Sequence, residues 1–414
     1  MTGSHYDVVI AGAGHAGAQT AIALRQLRFE GSIALVGEEP ELPYERPPLT
    51  KAYLSQEKSF DRILIRPASF WHDRDIEMVL GEAITTVDPV RRCVTMRGGR
   101  KIGYGQLVWA CGGHARQLAC AGHGVRGVHT LRSRGDLDLL LAELPGAEDV
   151  VVIGGGYIGL EAAAVLTKLG KRVTVVEALD RVLSRVAGEP LSRFFEREHR
   201  AHGVVINLNA VIDRVEEADG AVAAVHLADG TRLPASIVIA GIGILPAVEP
   251  LLAAGARGGN GVAVDPHCRT SLPHIYAVGD CALHVNDFAA AAEIRLESVQ
   301  NAVDQAMVAA RNITGEVARY TSVPWFWSDQ YDLKLQTVGL SQGFDAIVLR
   351  GDVAARSFSI IYLREGAVIA LDCVNNARDF VQGKALVAMG AQIDPKLLAE
   401  VATPLKEFAQ GRNS

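Results

Sequence analysis

The amino-acid sequence predicts an α/β chain with two βαβ units of one kind and a C-terminal α+β domain. Three observations carry this. The turn Gly12-Ala13-Gly14-His15-Ala16-Gly17 follows the apolar run Tyr6-Asp7-Val8-Val9-Ile10 and opens an Ala/Leu-rich helical stretch. A second turn, Gly154-Gly155-Gly156-Tyr157-Ile158-Gly159, follows Asp149-Val150-Val151-Val152-Ile153 in the same way. The last stretch, 320–414, alternates strand-like runs before a helical end, which is the pattern of a separate sheet with helices.

Each glycine turn leads to a second β-rich run that ends in an acid, Ile33–Glu38 in the first unit and Val173–Glu177 in the second. Strand, glycine turn, helix, strand and terminal acid form the dinucleotide fingerprint, and here it occurs twice. The first glycine makes the tight turn, the second admits the pyrophosphate, and the third lets helix and strand pack closely. The free N–H groups at the helix N-terminus then face the phosphates. The acid accepts hydrogen bonds from ribose hydroxyls. The predicted fold is therefore α/β with two Rossmann-like dinucleotide-binding domains plus the C-terminal α+β domain. Two adenine dinucleotides in one chain imply that electrons pass between them, one being a flavin and the other a nicotinamide.

Composition bounds the remaining possibilities. A chain of 414 residues is expected to form two or three domains. It is 49% hydrophobic and 21% charged, as in soluble globular proteins. A net charge of −6 without long like-charge runs argues against general nucleic-acid binding. No apolar run reaches the roughly 18 residues of a membrane helix, and Met1 to Val9 has no signal-peptide pattern, so a cytoplasmic protein is expected. The six cysteines, Cys93, Cys111, Cys120, Cys268, Cys281 and Cys373, contain no CxxC or CxxxxC pair, the arrangement that flavin disulfide reductases need. His199 and His202 share a helical face, but their arginine-rich neighbours make a solvated surface rather than a metal site, and no metal is expected.

Along the chain, 39–110 holds a Pro/Arg-rich loop, a helical stretch and several strands. The apolar strand Leu107–Cys111 ends in Gly112-Gly113, a candidate hinge. A helix is expected over 135–145, then strands at 211–216 and 221–227 with a hairpin signal at Ala228-Asp229-Gly230. Ile237–Gly243 reads as a buried strand ending in Gly, 297–312 as an Ala-rich helix, and 335–340, 346–350, 357–363 and 367–374 as the C-terminal strands.

Motifs spread along the chain identify a family. They are Arg46-Pro47-Pro48-Leu49-Thr50-Lys51-Ala52-Tyr53-Leu54, Gly154–Glu161, Leu233-Pro234-Ala235, Ile239–Gly243, Ala277–Cys281, Glu297-Ser298-Val299, Pro324-Trp325-Phe326-Trp327-Ser328-Asp329-Gln330-Tyr331 and Pro404–Glu407. The chain resembles the FAD-dependent NADH:ferredoxin reductases of cytochrome P450 and aromatic-ring dioxygenase systems. The resemblance implies a glutathione-reductase-like architecture. A discontinuous FAD domain would take 1–111 and 242–319, an NAD domain 112–241, and a C-terminal domain 320–414.

It also implies roles for residues. Gly12, Gly14, His15 and Ala16 would line the FAD pyrophosphate, with Glu38 on the adenosine ribose. Arg46 and Arg132 would serve the diphosphate, Ile84 the adenine end, Asp280 the ribityl hydroxyls, and Val299 the isoalloxazine ring by its backbone. The alternative for Asp280 is a helix cap, against which stands the Ala-Val-Gly-Asp setting that recurs in flavoproteins. Trp327 would pack near the flavin, or simply in a core. Lys51 would sit near flavin N5, paired with Glu161; a cation there stabilises the reduced flavin's negative charge. Gly154, Gly156, Tyr157 and Ile158 would cradle the nicotinamide dinucleotide, with Arg185, Gly243 and Glu297 as further contacts. A carboxylate at Glu177 pairs with the 2′-hydroxyl of NADH and repels the 2′-phosphate of NADPH, so NADH is expected. Arg181 and Arg185 follow, but neither of the next two positions is basic.

Two departures from the family pattern stand out: Cys111 occupies a position where many relatives have Thr, and Gln336 stands where a docking lysine would be expected, with Lys334 two residues away. An acidic reductase meeting an acidic [2Fe–2S] ferredoxin needs a local basic patch, for which Arg66, Arg311 and Lys406 are candidates. A monomer or weak dimer would leave that face free. Two other readings compete: an NADH oxidase or peroxidase of the same fold, which needs a cysteine after the Pro-Leu-Thr-Lys region, and a binding flavoprotein of the apoptosis-inducing-factor type, which needs basic surfaces or targeting segments. Neither feature occurs here.

Overall fold

A computed structural model describes residues 4–120 and 125–409. The chain forms two compact units, one made of 1–46, 59–114 and 244–324, the other of 47–58, 115–243 and 325–414.

The first unit is built on a parallel sheet. Its strands lie in the order Ile76–Leu80, Ile33–Gly37, His5–Ala11 and Lys101–Trp109. The last strand is shared: its beginning pairs antiparallel with Cys93–Met96, and its end pairs parallel with Ile275–Ala277. The chain thus leaves this sheet after Trp109 and returns to it far downstream. Val8 and Ile10 pack on one face with Ala18, Ala21, Ile22 and Ala309, while Val9 and Ala11 pack on the other with Val36 and Val94. Burial on both faces explains why Val8–Ala11 is a continuous apolar run instead of alternating. Helices His15–Gln26 and Val299–Ile313 share the first of these cores.

The second unit repeats the design. Its parallel strands lie in the order Val205–Asn207, Arg172–Val176, Asp149–Ile153, Ile237–Ala240 and Val128–His129. A three-stranded antiparallel sheet, Ile212–Ala218, Ala221–Leu227 and Arg232–Pro234, packs against it through Val222, Val225 and Leu227. The hairpin between the first two of these strands turns at Asp219-Gly220, both with positive φ (52° and 74°), as a two-residue hairpin turn requires. The Asp229-Gly230 signal turns the chain into the third strand instead.

The C-terminal stretch is a five-stranded antiparallel sheet in the order Trp325–Gln330, Leu333–Gly339, Ala367–Val374, Ser357–Arg364 and Ala346–Asp352, covered by the helix Ala377–Met389. Four of these strands fall where the sequence put them. Trp325–Gln330, read as a motif, is itself an edge strand. Inside this unit it packs on the helix Tyr157–Lys168, with the Tyr157 and Phe326 rings 4.7 Å apart. Phe194 meets Phe358 at 4.9 Å, and the Gly188 N–H donates to the Tyr362 hydroxyl.

Candidate active site: two glycine cradles and a buried ion pair

The two cradles show the same geometry. Gly12 has φ +105°, and a Cβ there would lie 2.3 Å from the Ala110 carbonyl oxygen. Gly154 has φ +103°, and a Cβ would lie 2.4 Å from the Gly241 carbonyl oxygen. At the third glycines, Gly17 and Gly159, a Cβ would meet the carbonyl oxygen of Gly12 or Gly154 at 1.8 and 2.1 Å. The second glycines differ: around Gly14 and Gly156 an added Cβ meets nothing within 4 Å. The first and third glycines are thus demanded by the protein itself, and the second leaves open space where a pyrophosphate needs to approach.

The helices behind the cradles fit an anion. His15–Gln26 and Tyr157–Lys168 begin at Gly14 and Gly156, with no side-chain cap and no acid in the first turn. By contrast, Arg134–Glu143, Val299–Ile313 and Ala377–Met389 are capped by Ser133, Ser298 and Asn376. Uncapped N–H groups at a helix start are a binding site for phosphate. The residues present therefore fit two dinucleotides.

In the first unit, Gly279 lies against Ala16, which brings Asp280 to the first cradle. Asp280 stands in the short turn Gly279–Cys281, whose cap is Val278, so it is not a helix cap. The Arg46 guanidinium bonds Glu39 at 2.5 Å and the Tyr44 hydroxyl at 3.1 Å, and it feels the Asp280 carboxylate as well. Glu38 pairs with Arg97 at 2.7 Å, a partner the sequence did not disclose. Ile84 sits on a strand opposite Met96. Val299 opens its helix directly after the Ser298 cap, presenting backbone at a helix start. Glu297, expected on the nicotinamide side, lies in this unit and pairs with Arg295 at 3.0 Å.

In the second unit, both oxygens of Glu177 are engaged: Gly155 N–H donates to one at 2.7 Å and Leu179 N–H to the other at 2.9 Å. The carboxylate is thereby fixed beside the second cradle. Arg181 is committed elsewhere, donating to the Ala187 and Ser184 carbonyls and the Ser192 hydroxyl, whereas Arg185 is exposed. Ile158 is exposed at the mouth of the cradle, and Gly243 has φ +94° at the end of the neighbouring strand. Arg132 also belongs to this unit, just before the Ser133 cap, and its N–H donates to Asp136.

Lys51 and Glu161 form an ion pair at 2.7 Å, with Glu161 2% exposed and Lys51 18%. Pro47 and Pro48 preset the short helical turn that delivers Thr50 and Lys51. Glu161 sits in a stretch of its helix, Gly159–Ala164, that is buried at every position. Thr50 donates to it at 2.7 Å and Ser328 at 2.6 Å. A buried pair of this kind is weak evidence for stability and better evidence for a working site. Thr50 and Ser328 were visible only as letters inside motifs; what they bond is a tertiary fact. Trp327 is half-buried on the same edge strand as Ser328, 5.6 Å from the Trp325 ring.

All six cysteines are free. Burial pushes the Cys281 thiol up to about 12 and the Cys111 thiol well above its ordinary value. Such thiols are inert, whereas redox cysteines are exposed and acidic. Arg66 and Lys406 are exposed, and Arg311 pairs with Glu316 at 3.3 Å. Among the described residues no group of three or more candidate ligands could hold a metal, and no helix is long and apolar enough to cross a membrane.

Two dinucleotide cradles on parallel sheets, with an ion pair in place of a thiol pair, define a flavin- and nicotinamide-dependent oxidoreductase. The chain belongs to the pyridine nucleotide-disulphide oxidoreductase family, which it matches over residues 6–306, and residues 325–409 match the reductase C-terminal family. It is 60% identical to a ferredoxin–NAD(P)+ reductase of Sphingomonas sp., over 99% of both chains. It is 57% identical to the ferredoxin reductase subunit of a 5,5′-dehydrodivanillate O-demethylase of Sphingobium sp., over 98% of this chain and all of that one. The solved covalent complex of putidaredoxin reductase with putidaredoxin superposes with a TM-score of 0.94 at 39% identity, over 98% of each chain. This chain is an enzyme of that kind, using FAD and NAD(P)H.

Proposed function

We propose that the chain is an NADH:ferredoxin reductase that supplies a [2Fe–2S] ferredoxin feeding an oxygenase, either a cytochrome P450 or a ring-hydroxylating or O-demethylating one. The observation that carries this reading is the pairing of two matched glycine cradles with Lys51–Glu161, in a chain whose cysteines are unpaired. FAD, when bound, accepts a hydride as an electron pair and gives the electrons up singly. The protein's part is binding, orientation and charge. Gly14 and Gly156 leave room for the two pyrophosphates, and Glu177 selects the unphosphorylated ribose. Asp280 and Arg46 are the groups we assign to the first dinucleotide. Glu161 holds the Lys51 ammonium, the cation that stabilises negative charge on a reduced flavin. Hydride transfer needs no nucleophile.

The relatives named for ferredoxin and O-demethylase systems support a ferredoxin partner. Arg66, Arg311 and Lys406 are the residues we propose for its docking, and a discontinuous FAD domain of 1–111 and 242–319 remains the proposed division of labour. The test is cytochrome c reduction by NADH with and without a small [2Fe–2S] ferredoxin. A rate that rises and saturates with ferredoxin supports the reading. A rate indifferent to ferredoxin but dependent on peroxide overturns it.

A further inference from the structure

We propose that Tyr331, His199, Gln330 and Ser328 form a one-way hydrogen-bond chain that holds the Glu161 carboxylate aimed at Lys51, so that His199 and Gln330 are remote positioning residues for the Lys51 cation. This rests on reading Lys51 as the working cation of the site.

The chain runs without a gap through the second unit. The Tyr331 hydroxyl lies 3.0 Å from His199 Nδ1, and His199 Nε2 lies 2.8 Å from Gln330 Oε1. Gln330 Nε2 donates to Ser328 Oγ at 3.2 Å, and Ser328 Oγ donates to Glu161 Oε1 at 2.6 Å. Lys51 and Thr50 occupy the other oxygen, each at 2.7 Å. Ser328, Gln330 and His199 are almost completely buried.

Only one set of proton positions satisfies every link. Glu161 as a carboxylate can only accept, so Ser328 must donate to it. Ser328 then accepts from the Gln330 amide N–H, which turns the Gln330 oxygen toward His199. His199 must therefore carry its proton on Nε2, leaving Nδ1 to accept from Tyr331 O–H. Burial lowers the His199 pKa to about 4, so the ring is neutral and has the one proton this arrangement allows. A flipped Gln330 would turn the Ser328 hydroxyl away and leave a buried carboxylate short of a donor, at high cost. Four donors thus point the same way and polarise one another toward a single charge. The Gln330 amide interrupts proton hopping, so the chain conveys polarisation and not protons.

The groups facing His199 are His202, stacked on Tyr331 with ring centroids 3.7 Å apart, and Tyr331 itself. Beyond them, Glu198 and Asp332 pair with Arg356. Glu161 faces Lys51 and, four residues back on its own helix, Tyr157. None of these supplies the donor that Ser328 supplies. The signal was available in sequence only as Ser328 and Gln330 alternating on one strand face; His199 looked like a surface histidine and is fully buried.

The experiment is an infrared difference spectrum of the Glu161 carboxylate in FAD-loaded protein at pH 7, isolated against Glu161→Gln. Ser328→Ala should shift its antisymmetric stretch, because the carboxylate loses a donor. Gln330→Met should shift it the same way by less, through lost polarisation. An unchanged stretch in Gln330→Met overturns the proposal. A second measurement reads the hydrogen-bond chain intact: ¹⁵N NMR of wild-type His199, assigned against His199→Gln, should show a neutral ring protonated on Nε2 from about pH 5 to 8. A proton on Nδ1 overturns the proposal. Neither readout involves ferredoxin, so failure of the ferredoxin reading is seen separately, in turnover.

Discussion

Replacing Gly156 with alanine separates folding from coenzyme binding. Gly156 has φ −79°, which alanine adopts without strain, and the added methyl meets nothing within 4 Å. Stability should hold or rise by about 0.4–1 kcal/mol, because alanine restricts the unfolded chain. If the open space is where the pyrophosphate approaches, the methyl displaces it from the uncapped helix N–H groups. Losing one hydrogen bond to a charged group costs about 1.5–3 kcal/mol. At 1.4 kcal/mol per tenfold, the NADH KM should rise about 10- to 150-fold. The assay is ferricyanide reduction at varied NADH, beside a thermal melt of the same FAD-loaded protein. Gly154→Ala is the control. With φ +103° and a Cβ 2.4 Å from the Gly241 carbonyl, it should melt far earlier. The reasoning is refuted if Gly156→Ala melts early, or if it melts normally with an unchanged KM.

Three further outcomes follow from the same structure. Glu177→Ala should lower the NADH:NADPH preference by more than tenfold in kcat/KM, since about 1.5–3 kcal/mol of ribose bonding and the repulsion of a 2′-phosphate go together; an unchanged ratio would remove Glu177 from coenzyme selection. Arg311→Glu should slow ferredoxin reduction and spare NADH–ferricyanide activity, whereas equal loss of both would discard Arg311 as a docking residue. Burial lowers His199 from 6.5 to about 4 and raises Asp372 from 3.8 to about 7. The folded state therefore binds fewer protons than the unfolded at His199 and more at Asp372, so the two oppose each other between about pH 4 and 6.5. Relative to wild type, His199→Gln should lose stability more steeply as pH rises through that window, and Asp372→Asn as pH falls, both read from urea midpoints; slopes parallel to wild type would refute the assignment.

Much of this was legible in the sequence because dinucleotide binding is a local device. Gly17 and Gly159 are forced by the carbonyls of Gly12 and Gly154 within one βαβ unit, and such contacts leave a fixed spacing, whereas the Ala110 and Gly241 carbonyls that crowd Gly12 and Gly154 come from distant strands. The C-terminal strands were legible as β-rich runs separated by turn residues, although Ser357–Arg364 and Ala367–Val374 are buried almost throughout instead of alternating. Long-range pairings were hidden. Nothing in sequence joins Glu38 to Arg97, or Glu161 to Ser328 across 167 positions. Arg132 and Glu297 came from resemblance alone; Arg132 belongs to the second unit and Glu297 to the first. Arg181 could be removed from coenzyme selection only once its carbonyl partners were seen.

The most direct test of the central claim is an anaerobic titration of FAD-loaded enzyme and excess oxidised [2Fe–2S] ferredoxin with NADH. The account predicts two ferredoxins reduced for each NADH consumed, with the same yield after the accessible thiols have been alkylated. NADH consumption that leaves ferredoxin oxidised, or a yield abolished by alkylation, would contradict it.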